Sequence, residues 1–146
     1  MKKTHQRFKV MSSGLMINRG NPLLRASPDA LVACRCCGKG LLEIKCPYKE
    51  NLKTTTGEEF AREGKYHLKI GENSTVHLKH TSQWYTQIQA QLAVTQYSWC
   101  DFVVFTQKEP HITIERIKYN KIHFEKEYAR ALNFYDKFVL PKLMEM

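Results

Sequence analysis

Two carboxylates and one lysine in the first third of the chain have the types and spacing to bind a metal ion beside a phosphate ester. Glu43 and Lys45 are separated by one residue, and side chains alternate along a β-strand, so both project from the same face. A glycine-containing turn before this strand can fold it back and bring Asp29 close to Glu43. Adjacent carboxylates repel each other unless a cation lies between them, and Mg²⁺ and Mn²⁺ prefer oxygen ligands. The sequence therefore predicts a divalent metal site.

The residues around Glu43 and Lys45 indicate that the metal ion would take part in hydrolysis of a phosphate ester. The Ile44 backbone carbonyl lies between the two side chains and is the third ligand that we expect, after Asp29 and Glu43. The metal would lower the pKa of a bound water, and the Lys45 ammonium would orient that water or offset charge on the phosphate. In the alternative interpretation, Glu43 and Lys45 form an exposed cross-strand pair and Asp29 is a turn residue. The E-x-K pattern alone does not distinguish a metal site from an exposed cross-strand pair.

Three glutamines at four-residue intervals form a polar stripe on a predicted helix over residues 82–97. Gln83, Gln87 and Gln91 would lie on one face of this helix. Their amides can hydrogen-bond a phosphate or a metal-bound water. The alternative is that the stripe is simply a solvated face of the helix.

The five cysteines are an odd number and no secretory signal accompanies them, so we expect reduced thiols. Cys34, Cys36 and Cys37 form a cluster that could bind zinc. Since no second C-x-x-C pair and no ligand-spaced histidine accompanies this cluster, a structural thiol cluster in a turn is the favoured interpretation. A zinc-binding interaction domain that takes Cys46 as its fourth ligand is the alternative, although Cys46 would face away from Glu43 on the strand.

The composition describes a basic protein of ordinary hydrophobicity. Its 146 residues are enough for one domain over residues 1–146, and the formal charge is +9. Such a charge attracts polyanions, and we expect nucleic acid rather than an anionic membrane as the partner. Without a long apolar run or a secretory signal, we expect an intracellular protein, nuclear in a eukaryote and otherwise cytoplasmic.

The pattern of apolar residues predicts mixed secondary structure around these motifs. Strands are predicted over residues 23–26, 30–34 and 41–46, with a tight turn at 37–40. A short helix over 57–63 and a hairpin turning at 71–73 follow in a polar, basic stretch. The run at residues 100–106 predicts a central strand.

The last third of the chain predicts a hairpin and a closing helix. Apolar residues alternate from Ile112 to Ile114 and then shift phase to Ile117, which predicts a strand with a bulge. The helix over 121–140 carries an apolar, largely aromatic stripe, which we expect to be core packing. The stripe comprises Phe124, Tyr128, Ala131, Leu132, Tyr135, Phe138 and Val139.

Three ordered segments resemble the YqaJ-like viral recombinase family, which is related to lambda-type exonucleases. They are residues 26–32 (ASPDALV), 40–48 (GLLEIKCPY) and 84–89 (WYTQIQ). The similarity continues through residues 99–106 and so covers most of the chain from about residue 14 onward. The family belongs to the PD-(D/E)XK nuclease superfamily. The resemblance therefore implies an α/β (α+β) fold with a restriction-endonuclease-like core, a mixed β-sheet flanked by helices.

The resemblance also implies an activity and assigns roles within the site. It implies cutting of DNA with Mg²⁺ or Mn²⁺, with Asp29 and Glu43 as metal carboxylates, Lys45 as the motif lysine and Gln87 as the assisting helix glutamine. Lambda-type members digest linear duplexes from the 5′ end and can assemble as rings. DNA is thus the implied partner, and a single-strand annealing protein and a second copy of the chain are further candidates. No membrane partner is implied.

One departure from the family pattern concerns the N-terminal region. The family carries a further glutamate on a helix upstream of the Pro-Asp motif, whereas residues 1–28 contain no Asp or Glu. Ala30 also stands where a glycine is usual. We therefore expect either a shortened fold or an incomplete site, and a catalytically incomplete DNA-binding module is the alternative to an enzyme. The nucleic-acid contacts that we predict are Lys49, Lys53, Lys79, His80 and Gln91, with a solvated surface as the alternative for each lysine.

Overall fold

The structure is a computed structural model that describes residues 5–47 and 53–146. Its strands are β1 Lys9–Ser12, β2 Met16–Ile17, β3 Arg25–Ala26, β4 Ala30–Cys34, β5 Gly38–Lys45, β6 Leu68–Ile70, β7 Val76–Leu78, β8 Trp99–Phe105 and β9 Ile112–Lys118. Its α-helices are α1 Gly57–Arg62, α2 Gln83–Thr95, α3 Lys121–Phe134 and α4 Leu140–Met144. A π-helical turn at Tyr135–Val139 joins the last two.

The main sheet has five strands in the order β1-β4-β5-β8-β9. β5 pairs antiparallel with β4 and parallel with β8, and β8 pairs antiparallel with β9. A parallel pair needs a long crossover connection, which the segment carrying α1 and α2 supplies. The expected mixed sheet flanked by helices is confirmed, and β5 lies at its centre.

The hairpin between β4 and β5 differs in detail from the prediction. Its turn is residues 35–37, so β5 begins at Gly38 and not at residue 41. Gly38 has a φ of +76°, the left-handed conformation that glycine adopts without strain. Ala30, the residue where the family usually has glycine, is buried in β4 opposite Leu42. The correction puts Cys36 and Cys37 in the turn itself.

Gly40 is required by close packing within the sheet. A Cβ at this position would overlap the indole ring of Trp99. The Arg116 guanidinium covers this ring, 3.8 Å from the ring centroid. We predict that Gly40→Ala lowers the free energy of unfolding by about 1–3 kcal/mol, because the ring must leave its packed position. Urea denaturation measures this. Gly14→Ala is the control, since a Cβ there meets nothing within 4 Å, and equal stability of the two variants would contradict the prediction.

Helix α2 covers the face of the sheet that holds the core. Ser82 caps it by accepting a hydrogen bond from the Trp84 backbone N–H, a common role of serine at the start of a helix. Ile88 and Leu92 are fully buried in one cluster with Leu41 of β5. This packing fixes α2 against the central strands, so that its other side chains approach the end of β5.

Strand β9 runs without the predicted bulge. It pairs residue for residue with β8, from Trp99↔Lys118 to Phe105↔Ile112. Ile112 and Ile114 are exposed, whereas Ile117 is buried. The phase shift in the sequence therefore arises because apolar residues occupy the outer face of a regular strand. β1 and β2 were also not predicted, and β3 is shorter than the predicted strand over 23–26.

The aromatic stripe of the closing helix does not form core. Within the continuously described residues 53–146, no residue of α3, the π-helical turn or α4 is buried. Phe124 and Tyr128 are half-buried where α3 packs on α2, and Phe134 and Phe138 are exposed. The prediction of core packing is wrong because helical periodicity shows which face is apolar, and only a neighbouring element can cover it. Among the described residues, no helix is long and apolar enough to cross a membrane.

Candidate active site

The centre of the candidate site is Glu43, which is buried against α2 with 2% of its surface exposed. Its Oε1 accepts hydrogen bonds from Lys45 Nζ at 2.6 Å and Gln87 Nε2 at 2.9 Å. Its Oε2 accepts one from Gln91 Nε2 at 2.9 Å. The alternative of an exposed cross-strand pair is therefore wrong for Glu43. A buried carboxylate is costly unless it is paired and hydrogen-bonded, and here three donors hold it in place.

Lys45 lies on the same face of β5, at the edge of this buried site. Besides Glu43, its Nζ donates to Gln87 Oε1 at 3.1 Å and lies 5.8 Å from the centroid of the Trp84 ring. Its side chain is 21% exposed. The ammonium is thus held by two oxygens and an aromatic face while it still reaches solvent, where a substrate can contact it.

Asp29 lies immediately before β4, next to the end of β5. It is exposed, and its Oδ2 accepts a hydrogen bond from the Ile44 backbone N–H at 2.7 Å. The N–H and C=O groups of one residue in a strand point toward the same side, so the Ile44 carbonyl also faces Asp29. The hairpin therefore brings a second carboxylate and a backbone carbonyl to the end of the strand that carries Glu43.

This donor set fits a hard divalent cation. Glu43 Oε2 accepts the hydrogen bond from Gln91, and a carboxylate oxygen can accept two, so Oε2 can still coordinate a metal ion. Asp29 is exposed beside it, and the Ile44 carbonyl adds a neutral oxygen. Carboxylate and carbonyl oxygens suit Mg²⁺ or Mn²⁺, and the exposed side leaves room for water and a phosphate.

The buried thiol of Cys100 lies close to the negative charges of this region. Burial raises the pKa of Cys100, and the negative charges of Glu43, Asp101 and Asp29 raise it further. Cys100 is therefore a neutral thiol and not a nucleophile. The same negative field that acts on the thiol attracts a cation, even though the chain as a whole carries a charge of +9.

The glutamine stripe divides into three different environments. Gln87 and Gln91 both point at Glu43, whereas Gln83 is exposed. Gln91 is 3% exposed, so it lies behind Glu43 and not on a surface that DNA could reach. Its Oε1 is buried and has no hydrogen-bond partner among the described residues. Gln89 faces elsewhere and bonds the backbone at Lys118 and Asn120.

The structure describes three of the four basic residues that are predicted to contact nucleic acid. Lys79 Nζ donates to the Gly64 carbonyl at 2.7 Å. His80 is exposed and stacks on Tyr85 with ring centroids 4.2 Å apart. Lys53 is exposed, and Lys49 lies outside the described residues. Their contact with DNA stays a prediction.

A central hairpin that presents Asp29, Glu43 and Lys45 to a helix glutamine, within a mixed sheet, defines a protein of the nuclease fold. A sequence model of the YqaJ-like viral recombinase domain matches residues 2–98, more than half of the chain. The chain belongs to this family. No protein with a curated description matches it in sequence.

Solved structures share the same fold. The crystal structure of an alkaline exonuclease (LHK-Exo) from Laribacter hongkongensis is 26% identical, with a TM-score of 0.57, and the match covers 94% of this chain and 64% of that chain. LHK-Exo in complex with dAMP is 24% identical, with a TM-score of 0.56 and the same coverage. The chain thus spans about 64% of the length of these exonucleases.

Proposed function

We propose that this chain is a metal-dependent deoxyribonuclease domain of the exonuclease type, which hydrolyses phosphodiester bonds in DNA. The observation that carries the proposal is the hydrogen-bonded set of Glu43, Lys45 and Gln87 beside Asp29. Family membership and the likeness to two structures of the alkaline exonuclease LHK-Exo, one of them in complex with dAMP, support it. Asp29, Glu43 and the Ile44 carbonyl would hold Mg²⁺ or Mn²⁺.

The contacts of each side chain indicate the role that it would have in phosphodiester hydrolysis. A bound divalent ion would supply Lewis-acid polarisation of the phosphate and a more acidic water. The Lys45 ammonium would donate to a phosphate oxygen or to the attacking water, because it reaches solvent while Glu43 and Gln87 fix its position. Gln87 donates to Glu43 and accepts from Lys45, so it locks the orientation of both. The Ile44 N–H holds Asp29.

We extend the proposal to digestion of linear duplex DNA from the 5′ end, as the family resemblance implies. Such a reaction leaves a 3′ single strand, so a single-strand annealing protein would be a partner in recombination. Contact between copies of the chain would keep the resulting oligomer bound to one end of the DNA. The positive net charge supports binding of the phosphate backbone, and this binding should weaken steeply with salt.

The test compares a linear duplex with a closed circle of the same sequence, in Mg²⁺, in Mn²⁺ and in EDTA. The linear duplex carries different labels at its 5′ and 3′ ends. We expect the wild type to degrade only the linear DNA, only with metal, and to release the 5′ label first. Asp29→Ala is the inactive control, and Asp136→Ala, at an exposed acidic position in the C-terminal segment, is the matched active one. Equal degradation by wild type and Asp29→Ala would overturn the proposal.

A catalytically incomplete DNA-binding module is the second candidate, and one observation favours it. Lys45, Gln87 and Gln91 already satisfy the Glu43 carboxylate with three hydrogen bonds, so its burial does not require a cation. This candidate predicts salt-sensitive DNA binding with no cleavage at any Mg²⁺ or Mn²⁺ concentration. It also predicts that Glu43→Gln leaves binding unchanged.

A further inference from the structure

Four side chains of metal-binding type converge at the end of the hairpin opposite Asp29. They are His5, Cys34, Cys36 and Cys37, and their ligand atoms all lie within 4.8 Å of one another. His5 Nδ1 lies 3.5 Å from Cys34 Sγ, 3.4 Å from Cys36 Sγ and 3.6 Å from Cys37 Sγ. Cys36 Sγ lies 3.4 Å from Cys34 Sγ and 3.7 Å from Cys37 Sγ. These five distances lie between 3.4 and 3.7 Å, and the sixth, from Cys34 Sγ to Cys37 Sγ, is within 4.8 Å.

Five of these six separations are close to the edges of a zinc coordination tetrahedron. With Zn–S bonds of about 2.3 Å and Zn–N bonds of about 2.0–2.1 Å, tetrahedral angles give S···S edges of about 3.8 Å and S···N edges of about 3.5 Å. Closed sites with four protein ligands of this type are structural sites. We propose that His5, Cys34, Cys36 and Cys37 form a structural Cys₃His zinc site.

Two polar groups lie beside the sulfurs of this cluster. The Cys37 backbone N–H donates to Cys34 Sγ at 3.2 Å. The Arg116 guanidinium, which is paired with Asp101, lies beside the Cys37 side chain. Three thiolates, one neutral imidazole and Zn²⁺ would leave a net charge of −1, which these neighbouring donors would partly stabilise. Hydrogen bonds from outside the ligand set orient metal ligands in this way.

The zinc would tie the N-terminal segment to the central hairpin. Cys34 ends β4, Cys36 and Cys37 form the turn, and His5 precedes β1. All four residues of β1 are exposed, so burial contributes little to holding this edge strand. The Arg35 N–H donates to the Gln6 carbonyl at 2.9 Å and already links the two segments. Because metal-binding free energy contributes directly to folding, the site would stabilise this edge of the sheet.

The proposed zinc site is separate from the candidate active site. Cys34 and Asp29 lie at opposite ends of β4, and five residues of strand span about 17 Å. Cys46, the fourth ligand in the sequence-based zinc alternative, is exposed beyond the other end of β5 and takes no part. That choice of ligand is corrected to His5. The histidine comes 29 residues before Cys34, so no short spacing pattern could reveal it.

Zinc content and cobalt spectroscopy test the proposal on the whole chain. Protein purified with a reductant and washed in Mg²⁺ buffer should retain one zinc per chain. When the zinc-free wild type is titrated with Co²⁺, its absorption spectrum should develop thiolate-to-cobalt charge-transfer bands and the strong d–d bands of tetrahedral cobalt. This assay uses the wild type, so it does not depend on the folding of a variant. Chelation should lower the Tm of the wild type.

The variants identify the ligands. Cys36→Ser and His5→Ala should lose stoichiometric zinc or change the cobalt spectrum, and Cys36→Ser should also lose the chelator-dependent Tm shift. Cys46→Ser, with its exposed thiol outside the cluster, should retain all three properties. Glu43→Gln should also retain zinc, because it alters only the other site. The proposal is overturned if reduced wild type binds neither metal stoichiometrically, or if Cys36→Ser or His5→Ala behaves like wild type in both assays.

Discussion

Replacing Lys45 with methionine is expected to lower the rate of DNA cleavage by about 10²–10³-fold, the effect of removing one positioned donor to transition-state charge. Methionine keeps the length of the side chain but has no ammonium to meet a phosphate oxygen or water. DNA affinity should change little, because the Lys45 side chain is only 21% exposed. Single-turnover cleavage of linear duplex DNA and a binding titration measure the two quantities.

The control for Lys45→Met is Lys39→Met, at an exposed position on the same strand. It should cleave and bind DNA like the wild type. Lys45→Met removes the cation from a buried carboxylate, so its Tm will fall, and cleavage must be measured well below that temperature. If cleavage and DNA affinity fall by the same factor, Lys45 is a DNA contact and not a catalytic residue.

Replacing Gln91 with methionine is expected to reduce cleavage about 10–100-fold at low Mg²⁺ and to raise the Mg²⁺ concentration needed for half-maximal rate. Gln91 is a positioning residue, since its amide contacts only Glu43 Oε2 in the site and is too buried to meet DNA. Methionine fills a similar volume. It also removes the buried Oε1 that has no partner among the described residues, so the loss of stability should be small.

Initial rates measured across a Mg²⁺ series separate this positioning role from a structural one. A loss of packing would lower the rate equally at every Mg²⁺ concentration, whereas a misplaced Glu43 should be partly rescued at high Mg²⁺. Gln83→Met, on the exposed turn of α2, serves as the control. Superimposable Mg²⁺ curves for Gln91→Met and wild type would show that the Gln91–Glu43 bond does not tune the site.

The functional interpretation was accessible from the sequence because its signals are local. Alternation along a strand places Glu43 and Lys45 on one face, and the turn before them makes β4 and β5 a hairpin. The order of three motifs identifies the family, which the match over residues 2–98 confirms. The α2 helix follows from its capping serine and apolar spacing. The mixed sheet is confirmed as well.

The burial and contacts of each site residue could not be predicted from local sequence patterns. Glu43 could have been an exposed partner of Lys45, and only the packing of α2 on β5 buries it and directs Gln87 and Gln91 at its two oxygens. A four-residue spacing places glutamines on one helix face without showing what that face meets. Whether Gln91 touches DNA or Glu43 depends on the position of the sheet.

The sequence by itself determined the chemistry that is present: the carboxylates, the lysine, the glutamines and three clustered cysteines, in segments whose order defines a family. Tertiary structure alone decided which of them meet. It adds His5 to the cysteines, excludes Cys46, and leaves the apolar stripe of α3 largely uncovered. The physical reason is that local patterns depend on the geometry of a single helix or strand. Ligand sets and burial depend on contacts between residues far apart in the chain, which form only when the elements pack.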